Sequence, residues 1–65
     1  MIILGIDPGL ARVGYGVIKT TNEHIEMLDC GIIKTLPNKT EGSRMVEISS
    51  DLRQLIRKWK PHKID

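Results

Sequence analysis

The sequence has little of what staples or decorates a small protein. It holds one cysteine, Cys30, and two aromatic side chains, Tyr15 and Trp59, with no phenylalanine. A lone cysteine excludes an intramolecular disulfide, and its apolar neighbourhood reads as a reduced core thiol of a cytoplasmic protein rather than a nucleophile. Two aromatics are too few for a base-stacking platform. Neither Gly-x-x-x-x-Gly-Lys nor Gly-x-Gly-x-x-Gly occurs, and no cysteines and histidines have metal-site spacing, which sets aside P-loop, dinucleotide-binding and zinc modules. No apolar run approaches the roughly 20 residues of a membrane span, and the N-terminus lacks the basic start and apolar core of a signal peptide. A soluble, cytoplasmic protein with no membrane contact is expected. Charge decides less: a net +2 with a pI near 8.9 permits nucleic-acid binding without requiring it. Sixty-five residues make at most one small domain, and a chain of that size buries only about 60% of its unfolded surface. No repeat, low-complexity tract or linker divides it.

What is present is concentrated at the start. Residues 1–16 read Met-Ile-Ile-Leu-Gly-Ile-Asp-Pro-Gly-Leu-Ala-Arg-Val-Gly-Tyr-Gly and hold four of the six glycines: Gly5, Gly9, Gly14 and Gly16. Ile2 to Ile6 is too short for a helix and apolar at successive positions, which predicts a strand buried on both faces. Asp7 ends it. A buried carboxylate without a partner costs several kcal/mol, roughly, so Asp7 needs hydrogen bonds or a cation. One reading has it accept amides of the turn that Pro8-Gly9 opens. The other holds its oxygens at a sheet rim, where they are the hard ligands that Mg²⁺ takes. If residues 13–19 pair back on the first strand, Gly14 and Gly16 share one face, and Gly5 shares Asp7's face of the first strand. Glycine inside a strand costs stability and marks a bulge or a close approach of ligand or backbone. A phosphate with its metal would fit that bare face; so would a helix crossing closely.

The rest of the chain predicts ordinary elements. The first strand spans about Ile2–Asp7, a loop covers Pro8 to Arg12, and the second strand spans about Val13–Thr20. Thr21 to His24 is a turn with Asn22 left-handed and His24 solvated at its tip. A third strand over about Ile25–Thr35 loses its alternation near Leu28-Asp29, predicting a bulge around Asp29 to Gly31. Asp29 is assigned to local amides rather than to a metal. Leu36 to Lys39 ends the strand, and either Thr40 or Ser43 could cap a helix. Met45, Ile48, Leu52, Leu55, Ile56 and Trp59 form its apolar face, with Trp59 as core, and Pro61 stops it. Arg53, Arg57 and Lys60 recur at helical spacing on a face that is solvated by default. His62 to Asp65 begins a fourth strand, which would return parallel to the first.

Gly5-Ile6-Asp7-Pro8-Gly9-Leu10 followed by Gly14-Tyr15-Gly16-Val17 resembles the opening motif of the RuvC-type Holliday-junction resolvases. The likeness extends through Leu28 to Ile33 and the amphipathic stretch ending Trp59-Lys60-Pro61, so it spans essentially the whole chain. It implies an α/β, ribonuclease H-like mixed sheet, of which strands 1–3, the first helix and the start of strand 4 are present. Residues 1–65 would then be the N-terminal part of a single truncated nuclease domain. Asp7 would be catalytic and a Mg²⁺ ligand, the first of four acids, with the second at the end of strand 4. Arg12, Gly14 and Gly16 would contact DNA. The resemblance further implies an endodeoxyribonuclease that nicks four-way DNA junctions in recombination and repair, acting as a homodimer with branch-migration helicase partners.

Two-metal hydrolysis needs several carboxylates to hold ions about 4 Å apart, and this sequence supplies one, so the chain alone is expected to be inactive. Asp65 stands at the wrong end of its strand to be the second. Three other readings compete. Sugar kinases and actin-like ATPases also open with a strand ending in Gly-x-Asp, but a Thr or Ser typically follows their turn glycine, where Leu10 and Ala11 stand here. The related YqgF type usually carries Lys-Arg in the turn, against Ala11-Arg12. A non-catalytic nucleic-acid-binding module would leave Asp7 among its glycines unexplained.

Overall fold

The computed structural model describes residues 1–9, 12–35 and 40–65. Four strands and one helix follow in the order β1 (Ile2–Asp7), β2 (Arg12–Thr21), β3 (His24–Lys34), α1 (Glu41–Trp59) and β4 (Lys63–Ile64). They form one sheet in the spatial order β3-β2-β1-β4. β1 and β2 are antiparallel, as are β2 and β3, while β4 lies parallel to β1. A parallel neighbour needs a crossover, and α1 provides it. The predicted boundaries hold within a residue or two, and His24 opens β3 rather than standing at the tip of the turn. Asn22 has the left-handed φ of 50° that lets the β2–β3 connection close in two residues. The expected strand-ending segment 36–39, and Leu10 and Ala11 of the first loop, lie outside the described residues.

The core occupies one side of the sheet. Leu4 faces Val17 across β1–β2, and Val13 faces Ile33 across β2–β3; all four are buried. α1 covers that side with Ile48, Leu52, Leu55 and Trp59, each half-buried, at spacings of four, three and four. The expectation that β1 is buried on both faces is therefore corrected. Ile3, Gly5 and Asp7 point to the other face, which no described element covers; Ile3 and Gly5 are half-buried and Asp7 is exposed. Met45 and Ile56 also leave the predicted core, at 69% and 37% exposure. At about 100° per residue they fall together on one shoulder of the helix stripe, off the line that meets the sheet.

The β3 bulge falls one residue earlier than predicted. Val17 pairs with Asp29 and Ile18 with Met27, leaving Leu28 unmatched. The residue that breaks the alternation is itself the extra one, and the ladder is regular again at Asp29. This extra residue has a consequence for Cys30. It puts Ile25, Met27, Cys30 and Ile32 all on the open face, so Cys30 is exposed rather than a core thiol.

Thr40 is the helix N-cap, with extended backbone and its Oγ1 accepting the Ser43 amide at 3.1 Å. Lys60 closes the C-terminus in the left-handed region at φ 47°, its amide donating to the Ile56 carbonyl. Pro61 then keeps the chain from continuing helical, and β4 settles beside Ile3 and Leu4.

Candidate active site

Asp7 stands where β1 ends and the chain turns away through Pro8-Gly9, at the tip of the strand that lies between β2 and β4. Gly9 shapes this exit. A Cβ there would collide with the Arg12 carbonyl oxygen, so only glycine lets the two sides of the loop approach so closely. Across the ladder Asp7 pairs with Gly14, and Gly5 pairs with Gly16. Continuing to β3, Gly14 meets Ile32 and Gly16 meets Cys30. The open face beside Asp7 is thus floored by Gly5, Gly14 and Gly16 and walled by Cys30 and Ile32, a broad depression of about 690 Å³.

Two observations bear on the second reading of Asp7. Its carboxylate has no hydrogen-bond or ion-pair partner among the described residues, the Gly9 amide included, while Leu10 and Ala11 of the turn lie outside them. The glycines beside it are also not demanded by the described chain. A Cβ on Gly16 would meet nothing within 4 Å, one on Gly5 only the Gly16 carbonyl at 3.9 Å, and one on Gly14 only the Asp7 Cβ at 3.6 Å. A bare strand surface with space above it, next to an unengaged carboxylate, suits a phosphate backbone and a hard cation. The donor set is incomplete: among the described residues no three acids, histidines or cysteines gather to hold a metal. Asp7 therefore fits as one ligand of such an ion.

Arg12 opens β2 at the same end of the sheet, exposed and opposite Lys34 of β3. Asp65 is far less well placed. It extends the β4 ladder by backbone bonds, accepting from Ile6 N–H at 2.9 Å and donating to the Leu4 carbonyl at 2.8 Å, short of Asp7's level. Asp29 is on the covered face, where its Oδ2 accepts from Trp59 Nε1 at 3.4 Å. It ties α1 to β3 rather than serving Asp7. Arg53, Arg57 and Lys60 are all exposed, as a solvated face requires.

One pair went unforeseen. Tyr15 lies against Gly31, whose added Cβ would come within 2.8 Å of the phenol oxygen. Partial burial, and the nearby charges of Asp29 and Cys30, push the phenol above its ordinary range. The aromatic-over-glycine pairing could have been read from β2–β3 register, had the bulge been placed at Leu28.

The backbone superimposes on that of the Thermus thermophilus RuvC structure with a TM-score of 0.89 at 24% identity, over 98% of this chain and 43% of that one. A sheet in this order, with a helix crossing to a strand parallel to the first, defines an α/β protein of the ribonuclease H-like fold. Among curated proteins, crossover junction endodeoxyribonuclease RuvC of Prochlorococcus marinus (strain MIT 9303) is 74% identical and that of Parasynechococcus marenigrum (strain WH8102) 72%, each over 61 residues. Both alignments cover 94% of this chain and 40% of the relative. The family profile "Crossover junction endodeoxyribonuclease RuvC" matches residues 3–65, and the chain belongs to that family. It spans about two fifths of the length of those relatives.

Proposed function

We propose that this chain is the N-terminal part of a single nuclease domain that, when complete, nicks four-way DNA junctions by metal-dependent phosphodiester hydrolysis in recombination and repair. The observation that carries the reading is Asp7, unengaged among the described residues, at the end of β1 beside a glycine-floored open face. In a chain of this family, that supports Asp7 as a catalytic residue and metal ligand. Mg²⁺ is the ion we assign, since a carboxylate is a hard oxygen donor of the kind it prefers; when bound, such an ion activates water and stabilises the leaving oxygen. The chain's own residues bind and orient. Gly14 and Gly16 let a phosphate backbone lie against the strand, and Arg12, exposed at the same end, contacts phosphate.

With one acid of the required several, the 65-residue chain alone is inactive. Symmetric nicking of a four-way junction calls for two active sites, hence a homodimer. We further assign the complete protein to the cytoplasm, with branch-migration helicases as partners. No helix among the described residues is long and apolar enough to cross a membrane.

The test uses the chain extended to the length of its relatives and a synthetic four-way junction, with metal removed by chelation and Mg²⁺ then restored. Nicking that disappears and returns with Mg²⁺ is the expected result. Intact junctions together with ATP turnover would replace this reading by the kinase-like one.

A further inference from the structure

The ladder that joins β4 to β1 includes one side chain. His62 donates its backbone N–H to the Ile2 carbonyl at 2.8 Å, and its imidazole Nδ1 accepts the Ile2 N–H at 3.0 Å. One residue thus satisfies both backbone groups of Ile2. An accepting Nδ1 carries no proton, so the imidazole holds its hydrogen on Nε2. Beyond this point the contact continues through backbone alone, from Asp65 to Leu4 and Ile6.

β4 otherwise has little to fix its position. It has two residues of regular strand, Lys63 and Ile64, both exposed. Sliding β4 by one residue would bring Pro61 or Lys63 to the place of His62. Proline has no side-chain acceptor and lysine only donates, so neither could take the Ile2 amide. Such a slip would also turn every β4 side chain to the opposite face. The observed register is the one in which Ile2 finds its acceptor.

We infer that His62 is a positioning residue that locks the register of β4 on β1. Its importance rests on the nuclease reading above. Carried four residues on from the Ile3–Lys63 pair, the same register brings the continuation of β4 level with Asp7. The face presented there, and so whether a carboxylate on that strand can share an ion with Asp7, depends on β4 entering in this frame.

The test compares wild type, His62→Ala and His62→Asn in the chain extended to the length of its relatives. Asparagine serves as the rescue because its Oδ1 can accept where Nδ1 does. Nitrogen-15 NMR should show Nδ1 unprotonated and hydrogen-bonded in the wild type. Losing a net hydrogen bond of about 1 kcal/mol should speed hydrogen exchange of the Ile2 amide about fivefold in His62→Ala, with His62→Asn close to wild type. Junction nicking should fall in His62→Ala more than junction binding does, and recover in His62→Asn. A protonated Nδ1, or Ile2 exchange unchanged in His62→Ala, overturns the register role. If exchange responds as stated but the wild type nicks no junction, the register role stands and the nuclease reading falls.

Discussion

Asp7 and Asp29 are both strand carboxylates, and their surroundings give them different work. Asp29 faces the helix and accepts from Trp59, while Asp7 faces open space above glycines and has no partner among the described residues. The glycines can be tested apart from the acid. Because nothing lies within 4 Å of a Cβ at Gly16, Gly16→Val should leave the fold intact and stabilise it by about 0.5–1 kcal/mol, through the strand preference of valine. It should nevertheless weaken junction binding by the extended chain, because it fills the surface where we place the phosphates. Thermal melting and gel-shift titration read the two effects, and unchanged binding would remove the glycine face from the site. Tyr15 gives a pH test. Its phenol is raised when folded, so the neutral form is favoured by folding. Stability from this source is present below the ordinary phenol range of about 10 and lost as pH rises through and beyond it. Melting temperatures followed across that range should fall more steeply for wild type than for Tyr15→Phe; equal slopes would contradict the assignment.

At the scale of elements, α1 depends on its ends as well as its stripe. Thr40→Ala removes the cap on the Ser43 amide and should cost about 1 kcal/mol, a fall of about 4–8 °C in melting temperature for a domain of this size. No change would mean that another group caps the helix. Much at this scale was legible beforehand. β1 matched from Ile2 to Asp7, because an apolar run ended by a charge and Pro-Gly has few other readings, and Asn22 and Pro61 marked their turns by backbone chemistry alone. What could not be read was which apolar residues meet a partner. Cys30, Met45 and Ile56 are as hydrophobic as the core positions, but their exposure follows from where Leu28 bulges and how α1 is rotated about its axis. Periodicity gives a face and not its neighbour. That Asp7 shares one face with Gly5, Gly14 and Gly16 was legible, since strand alternation fixes those faces, whereas the Tyr15–Gly31 contact required the β2–β3 register.

The whole molecule is thin, 45 Å long by 17 Å and 15 Å across. Among the described residues, four buried apolar side chains beneath one helix form the core, and the face opposite that helix carries exposed Met27 and Ile32. With so few buried contacts, each should weigh heavily. Leu4→Ala, at a side chain 1% exposed, should cost about 2–5 kcal/mol, enough to unfold the 65-residue chain by circular dichroism at room temperature; a folded variant would mean that stability resides elsewhere. The central claim concerns Asp7 as the ligand that this part of the molecule contributes to hydrolysis. It is tested most directly by Asp7→Asn in the chain extended to the length of its relatives, measuring binding and nicking of a four-way junction side by side with Mg²⁺ present. The account predicts junction binding close to wild type with nicking lost. Nicking that survives in Asp7→Asn would contradict it.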